Sequence, residues 1–174
     1  FTAYATFVNN QPSQNNSADN IQEGGAITLF QNNIFFIGKS ILEHNHAENG
    51  GAIHSTESKL YVNGNVTIAH NTATGNGGGI YLSNSELYCQ QNSTLILLNN
   101  TAAHKGGGLH AISSSVKAIP ALTHIGITSA ITQVGFIANL AKWGGGLSLE
   151  ANAKFYVLKY ICPIYSNTTM TFTG

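Results

Sequence analysis

The sequence predicts an all-β fold, a parallel β-helix, on three observations. Gly-Gly-Ala-Ile occurs at Gly24–Ile27 and Gly50–Ile53, and returns as Gly-Gly-Gly-Ile/Leu at Gly77–Ile80, Gly106–Leu109 and Gly144–Leu147. An apolar residue, two variable positions and Asn recur at Phe7–Asn10, Leu42–Asn45, Ile68–Asn71, Leu97–Asn100, Phe136–Asn139 and Ile164–Asn167. Between the two motifs lie short stretches with the alternating period of a strand, rich in β-branched and aromatic residues. Self-similarity of this kind, with sparse Pro and no sustained helical period, marks a solenoid of short strands.

The elements follow in chain order. The polar stretch Gln11–Asn20 separates the first Asn from its glycines and reads as an exposed loop. Coils then start at Ile27, Ile53, Ile80, Leu109 and Leu147, at spacings of 26, 27, 29 and 38 residues. The last spacing places an insertion in the fourth coil, and about five to six coils are expected in all. Ile34-Phe35-Phe36, Leu60-Tyr61-Val62, Leu87-Tyr88-Cys89 and Phe155-Tyr156-Val157 superimpose as strands. Stacked coils put equivalent residues about 4.8 Å apart. Three inward ladders are expected: Ile27/Ile53/Ile80/Leu109/Leu147, Ile34/Leu60/Leu87/Val116/Phe155 and Leu42/Ile68/Leu97/Phe136/Ile164.

The two motifs have physical reasons. A corner leaves backbone groups without strand partners, and a stacked Asn satisfies them while tolerating turn conformations. The expected structural ladder is Asn10, Asn45, Asn71, Asn100, Asn139 and Asn167. Glycine permits positive φ and close backbone approach where the chain enters the next strand.

Gly-Gly-Ala-Ile at Gly24–Ile27 and Gly50–Ile53, with Phe-x-x-Asn at Phe7–Asn10 and Phe136–Asn139, resembles the repeats of the chlamydial polymorphic outer-membrane proteins. The resemblance implies a right-handed β-helix and a role as surface adhesin or passenger. The chain departs from that family in lacking an outer-membrane barrel. Its Asn-x-Ser/Thr acceptors Asn15, Asn65, Asn92, Asn99 and Asn167 suggest a eukaryotic extracellular relative. Asn65 and Asn92 fall in turns and are the favoured glycosylation sites. Asn167 is the weakest, because a ladder Asn faces the corner.

Composition limits the function. Charged residues make up 8% of 174, with formal net charge zero, so no basic footprint for nucleic acid exists. No apolar run is long enough for a membrane-spanning helix. The chain reads as one β-helix domain over residues 1–174, a segment of a longer array or a stacking subunit. Neither end carries an evident polar cap, which favours a homo-oligomer or filament.

Catalytic and metal chemistry find little support. The one aspartate, Asp19, lies in the loop, and the glutamates share no column. Glu86 aligns with Lys59, an exposed ion pair worth a few tenths of a kcal/mol. His44 and His70 share a column but lack further ligands, and Tyr81 separates His54 from His110. These histidines read as surface residues at polar ladder positions. No glycine run has the Lys-Ser/Thr of a phosphate loop. Cys89 points inward as a small hydrophobe, and the lattice holds it too far from Cys162 for a disulfide.

The outward column Phe35, Tyr61, Tyr88 and Tyr156 is the candidate interaction surface. The expected protein is a non-enzymatic extracellular structural or adhesive module without cofactor, assembling end to end or meeting other extracellular proteins or glycans. The alternative is a carbohydrate-binding or polysaccharide-cleaving β-helix.

Overall fold

The computed structural model describes residues 5–10, 23–90, 92–118, 131–157 and 167–173, with backbone alone at 131–133, 157 and 167–173. These residues form an all-β parallel solenoid without helix. After β1 (Ala5–Val8), the first coil holds β2 (Ile27–Phe30), β3 (Ile34–Ile37), β4 (Ser40–Glu43) and the short β5 (His46–Ala47). The second holds β6 (Ile53–Thr56), β7 (Lys59–Val62), β8 (Asn65–Ala69) and β9 (Thr72–Ala73). The third holds β10 (Ile80–Ser83), β11 (Glu86–Cys89), β12 (Thr94–Leu98) and β13 (Thr101–Ala102). Then come β14 (Leu109–Ile112), β15 (Ser115–Ala118) and β16 (Ile131–Ile137), and finally β17 (Leu147–Glu150), β18 (Lys154–Val157) and β19 (Asn167–Thr173).

Equivalent strands stack into parallel sheets in the orders β1-β4-β8-β12-β16-β19, β17-β14-β10-β6-β2, β18-β15-β11-β7-β3 and β13-β9-β5. Among the described residues, three coils carry all four strands, fewer than the five to six expected from motif counting. The later turns lose the short fourth strand. Where Thr101-Ala102 would find a partner, Leu140 makes only an isolated bridge to Thr101. The insertion of the fourth coil, the Gln11–Asn20 loop, Ile164 and Cys162 lie outside the described residues.

The glycine motif sets the first register. Ile27, Ile53, Ile80, Leu109 and Leu147 pair in one line across the second sheet. Gly50 and Gly77 open their motifs at φ 67° and 65°, which L side chains rarely adopt. At the next glycine, a Cβ on Gly51 would stand 2.2 Å from the Gly78 carbonyl oxygen, so the coils pass too closely for any side chain.

The Asn residues form a continuous internal ladder. Asn71 Oδ1 accepts the backbone N–H and the amide of Asn45 at 2.9 and 3.0 Å. The amide of Asn71 donates to Asn100 Oδ1 at 2.9 Å and to the Leu42 carbonyl at 3.0 Å. Asn10 joins at one end and Asn139 at the other by the same geometry. Asn167 is not a rung: it stands opposite Ile131, and Phe172 lies opposite Phe136. Its spacing mimics the motif, but the strand continues five residues beyond Asn167 before reaching the Phe136 level.

A second register also differs from expectation. Phe35 pairs with Leu60 and Phe36 with Tyr61, so Phe35 faces the core and Ile34 lies outside the inward ladder. The corner before β3 holds Gln31, Asn32 and Asn33, whereas the next coil turns in two residues, Glu57 and Ser58. The extra residue shifts the strand by one, and a shift of one exchanges its faces.

Serine builds an unanticipated buried ladder at this corner. Ser85 Oγ accepts the Ser58 N–H at 3.2 Å, and Ser114 Oγ accepts the Ser85 N–H at 3.0 Å. Inside these corners Leu42, Ile68, Leu87, Leu97 and Phe136 are essentially solvent-free.

Candidate functional site

The outer face of the β3-β7-β11-β15-β18 sheet gathers the most chemistry. Alternation along each strand places one column at Ile34, Lys59, Glu86, Ser115 and Lys154, and a second at Phe36, Tyr61, Tyr88, Lys117 and Tyr156. Phe36, rather than Phe35, therefore begins the aromatic row. Its ring stacks on Tyr61 at 4.8 Å, and Tyr61 stacks on Tyr88 at 4.7 Å. These spacings match the strand separation and lie within the range of favourable ring pairs. Phe36 is 63% exposed and Tyr156 is 38% exposed.

Lys117 interrupts the row with a charge, a role that the sequence reading missed. Its ammonium lies 4.7 Å from the Tyr88 ring centroid and donates to Glu86 Oε1 at 2.8 Å. The inward assignment of Val116 already implied an outward Lys117. Glu86 Oε2 also accepts the Tyr88 hydroxyl at 2.8 Å and lies 3.2 Å from Lys59 Nζ. The Lys117 hydrogen bond, aided by Tyr88 and Lys59, holds the Glu86 carboxyl down at about 2. Glu86 is thus a fixed, ionised acceptor.

Two open clefts flank this face at the serine corner. One, of about 490 Å³, is lined by residues from Asn32 to Glu86. Its neighbour, about 250 Å³, shares Asn84 and Glu86 with it and extends to Asn152, Lys154 and Tyr156. A third cleft, about 600 Å³, surrounds Phe7, Phe35 and Phe36 at the first coil.

On the outer face of the β2-β6-β10-β14-β17 sheet, His54 and His110 are each only 1% exposed, not surface residues as expected. Aromatic neighbours cover part of each ring. His54 lies between Phe30 at 5.6 Å and Tyr81 at 4.9 Å, and His110 leans on Tyr81 at 5.6 Å. Burial depresses His54 to about 4 and lowers His110. Glu23 Oε2 lies 3.2 Å from His54 Nδ1 without hydrogen-bond geometry, and burial raises the Glu23 carboxyl. The exposed pair His44 and His70 stacks at 5.2 Å. Among the described residues, no three His, Cys, Asp or Glu side chains assemble as a metal site.

The remaining sequence candidates are placed individually. Asn65 begins β8, Asn92 lies in a turn, and Asn99 precedes a ladder Asn; all three are exposed. Asn167 lies within β19, and Asn15 is outside the described residues. Cys89 is a free, buried thiol aligned with Val62 and Ala118, and burial pushes it up to about 12.

Residues 65–83, running from β8 through the glycines to β10, match the Chlamydia polymorphic membrane protein repeat. The solenoid therefore carries a repeat of that type, and its adjoining coils share the same lattice. No curated protein and no solved structure gives a significant match. No helix among the described residues is long and apolar enough to cross a membrane.

Proposed function

We propose that this chain is a non-enzymatic structural or adhesive module of an extracellular or cell-surface protein. The observation that carries this reading is the stacked row Phe36–Tyr61–Tyr88, held at strand spacing on a continuous parallel sheet with its first ring exposed. Rings pre-ordered in this way offer contact area with little rotamer entropy left to lose. The matched repeat, described as that of a membrane protein, supports a surface setting. The exposed Asn65, Asn92 and Asn99 are compatible with glycosylation, which intact-mass analysis of secreted protein would detect.

The non-enzymatic part rests on the carboxylates. Glu86 is saturated by Lys117, Tyr88 and Lys59 and held ionised, so it cannot serve as a general acid. Glu23 and Glu150 occupy opposite ends of their sheet, near β2 and in β17. An array of extracellular proteins and glycans tests the module. Binding that falls at least tenfold in Tyr61→Ala/Tyr88→Ala supports the row, and unchanged binding removes it. Sugar release from the arrayed glycans would overturn the non-enzymatic assignment.

End-to-end assembly belongs to the same proposal. Val8, Phe30, Ile34 and Phe36 are exposed toward one end, and Leu140, Trp143, Leu149 and Tyr156 toward the other. Carbohydrate recognition is the second reading, favoured by the adjoining clefts at the serine corner.

A further inference from the structure

We propose that the two adjoining clefts form one furrow that binds an extended, neutral polysaccharide parallel to the solenoid axis. This rests on the carbohydrate reading and gives it a site, an orientation and a ligand class.

Continuity is the first argument. The clefts share Asn84 and Glu86, so the surface runs without a break from Asn32 in the first coil to Asn152 after β17. Repetition is the second. Each corner contributes exposed residues with left-handed backbone: Gln31 and Asn32, then Glu57, Asn84 and Ser113 singly, then Ala151 and Asn152. Glu57, Asn84 and Ser113 stand in one register at about the 4.8 Å strand separation, with Asn32 and Asn152 one residue beyond it at the two ends. The amide and hydroxyl side chains both donate and accept and the Glu57 carboxylate accepts, so the corners suit a polymer whose hydroxyls also recur.

Charge and backbone narrow the occupant. Lys59 and Lys154 balance Glu57 and Glu86 along the lining, which gives no net preference for an anionic chain. Ile34 is 62% exposed in one cleft, and Tyr156 is 38% exposed in the other. They supply apolar contacts for the C–H faces of sugar rings. A peptide strand would need unpaired backbone, but the corner amides are already spent between coils. Asn32 N–H donates to the Glu57 carbonyl at 2.7 Å, Glu57 N–H to Ser83 at 2.9 Å, and Asn84 N–H to Ile112 at 3.1 Å.

Calorimetry on the full chain tests the furrow with β-1,4-linked glucan, xylan and mannan hexasaccharides, their disaccharides, and a heparin hexasaccharide. At least one neutral hexasaccharide should bind tenfold or more tightly than its disaccharide. Asn84→Gly/Asn152→Gly removes two amides at positions where glycine is unstrained, and should weaken binding at least tenfold. Ser115→Trp, which fills the second cleft from a strand, should do the same. Thermal melts verify that both variants fold. The control Thr67→Ala, on β8 of the separate β1-β4-β8-β12-β16-β19 sheet, should stay within threefold of wild type. No neutral binding, or binding by heparin alone, overturns the proposal. Loss in Tyr61→Ala/Tyr88→Ala with the furrow variants unaffected also overturns it, and transfers sugar recognition to the ring row. An array result positive for protein partners but negative for sugars refutes the furrow while the module reading stands.

Discussion

Asn71 is 0% exposed, and its side chain makes four hydrogen bonds: two accepted from Asn45 and two donated, to Leu42 and Asn100. Asn71→Ala strands the buried Asn45 N–H and Leu42 carbonyl, each costing about 1–3 kcal/mol. A loss of about 3 kcal/mol or more in urea unfolding is expected, and a change below about 1 kcal/mol would refute the ladder's energetic role. Histidine burial gives a pH signature. His54 titrates near 6.5 when unfolded and near 4 when folded, so its neutral form is favoured in the fold. Below 6.5 the unfolded chain binds the proton first, and stability falls toward pH 4. Glu23, Phe30 and Tyr81 face this ring, and the raised Glu23 opposes the trend in the acid part of the window. In His54→Phe, the melting temperature should vary less between pH 7 and 4; an unchanged slope would count against the burial effect. Glu86, held near 2, acts lower: its contribution is present above about 4.5 and is lost as pH falls toward 2. Asn-Gly pairs offer a covalent probe. The Gly50 and Gly77 amides are tied to Asn76 and Lys105, whereas Gly64 engages Thr94 through its carbonyl. Asn63 is exposed and should convert to aspartate and isoaspartate before Asn49 or Asn76, which peptide mapping of aged protein would reveal.

Single strands show where the sequence is readable. The Gly-Gly-apolar motif predicts the Ile27-to-Leu147 register because its cause is local: positive φ, then a coil passing within reach of a missing Cβ. Gly78→Ala would place a Cβ 2.4 Å from the Gly107 carbonyl oxygen. It should cost about 3 kcal/mol or more, measured by chemical denaturation. A near-neutral result would mean that the coils separate without penalty. β3 illustrates the limit. Four apolar residues, Ile34 to Ile37, carry no alternation, so only the length of the preceding corner selects the exposed face. That length sits among polar residues with no periodic signal. The serine ladder was obscured for a related reason: Ser is common at exposed corners, and only the stacked geometry identifies Ser58, Ser85 and Ser114 as one buried ladder in which Ser85 and Ser114 accept. The His54–Tyr81–His110 column was legible as an alignment, but its burial depends on neighbouring rings from other coils.

Across the molecule, the exposed large apolar side chains cluster toward the two ends, while the middle coils bury theirs. If these ends mediate assembly, Phe36→Asp and Trp143→Asp should each shift a concentration-dependent sedimentation profile toward the monomer. Dispersed short particles of the wild-type chain by electron microscopy at high concentration would sink the filament proposal. The ladder adds a condition on any such contact. From Asn10 to Asn100 each side-chain amide donates to the Asn Oδ1 of the later coil, each Oδ1 from Asn45 to Asn139 accepts from the earlier Asn, and from Asn45 on the amide also donates back to a backbone carbonyl of the preceding coil. The amide dipoles therefore add along the axis and polarise one another. A neighbour at the Asn10 end must bring donors, and one at the Asn139 end must bring an acceptor. The ladder thus has a head and a tail, and two identical ends could not join through it.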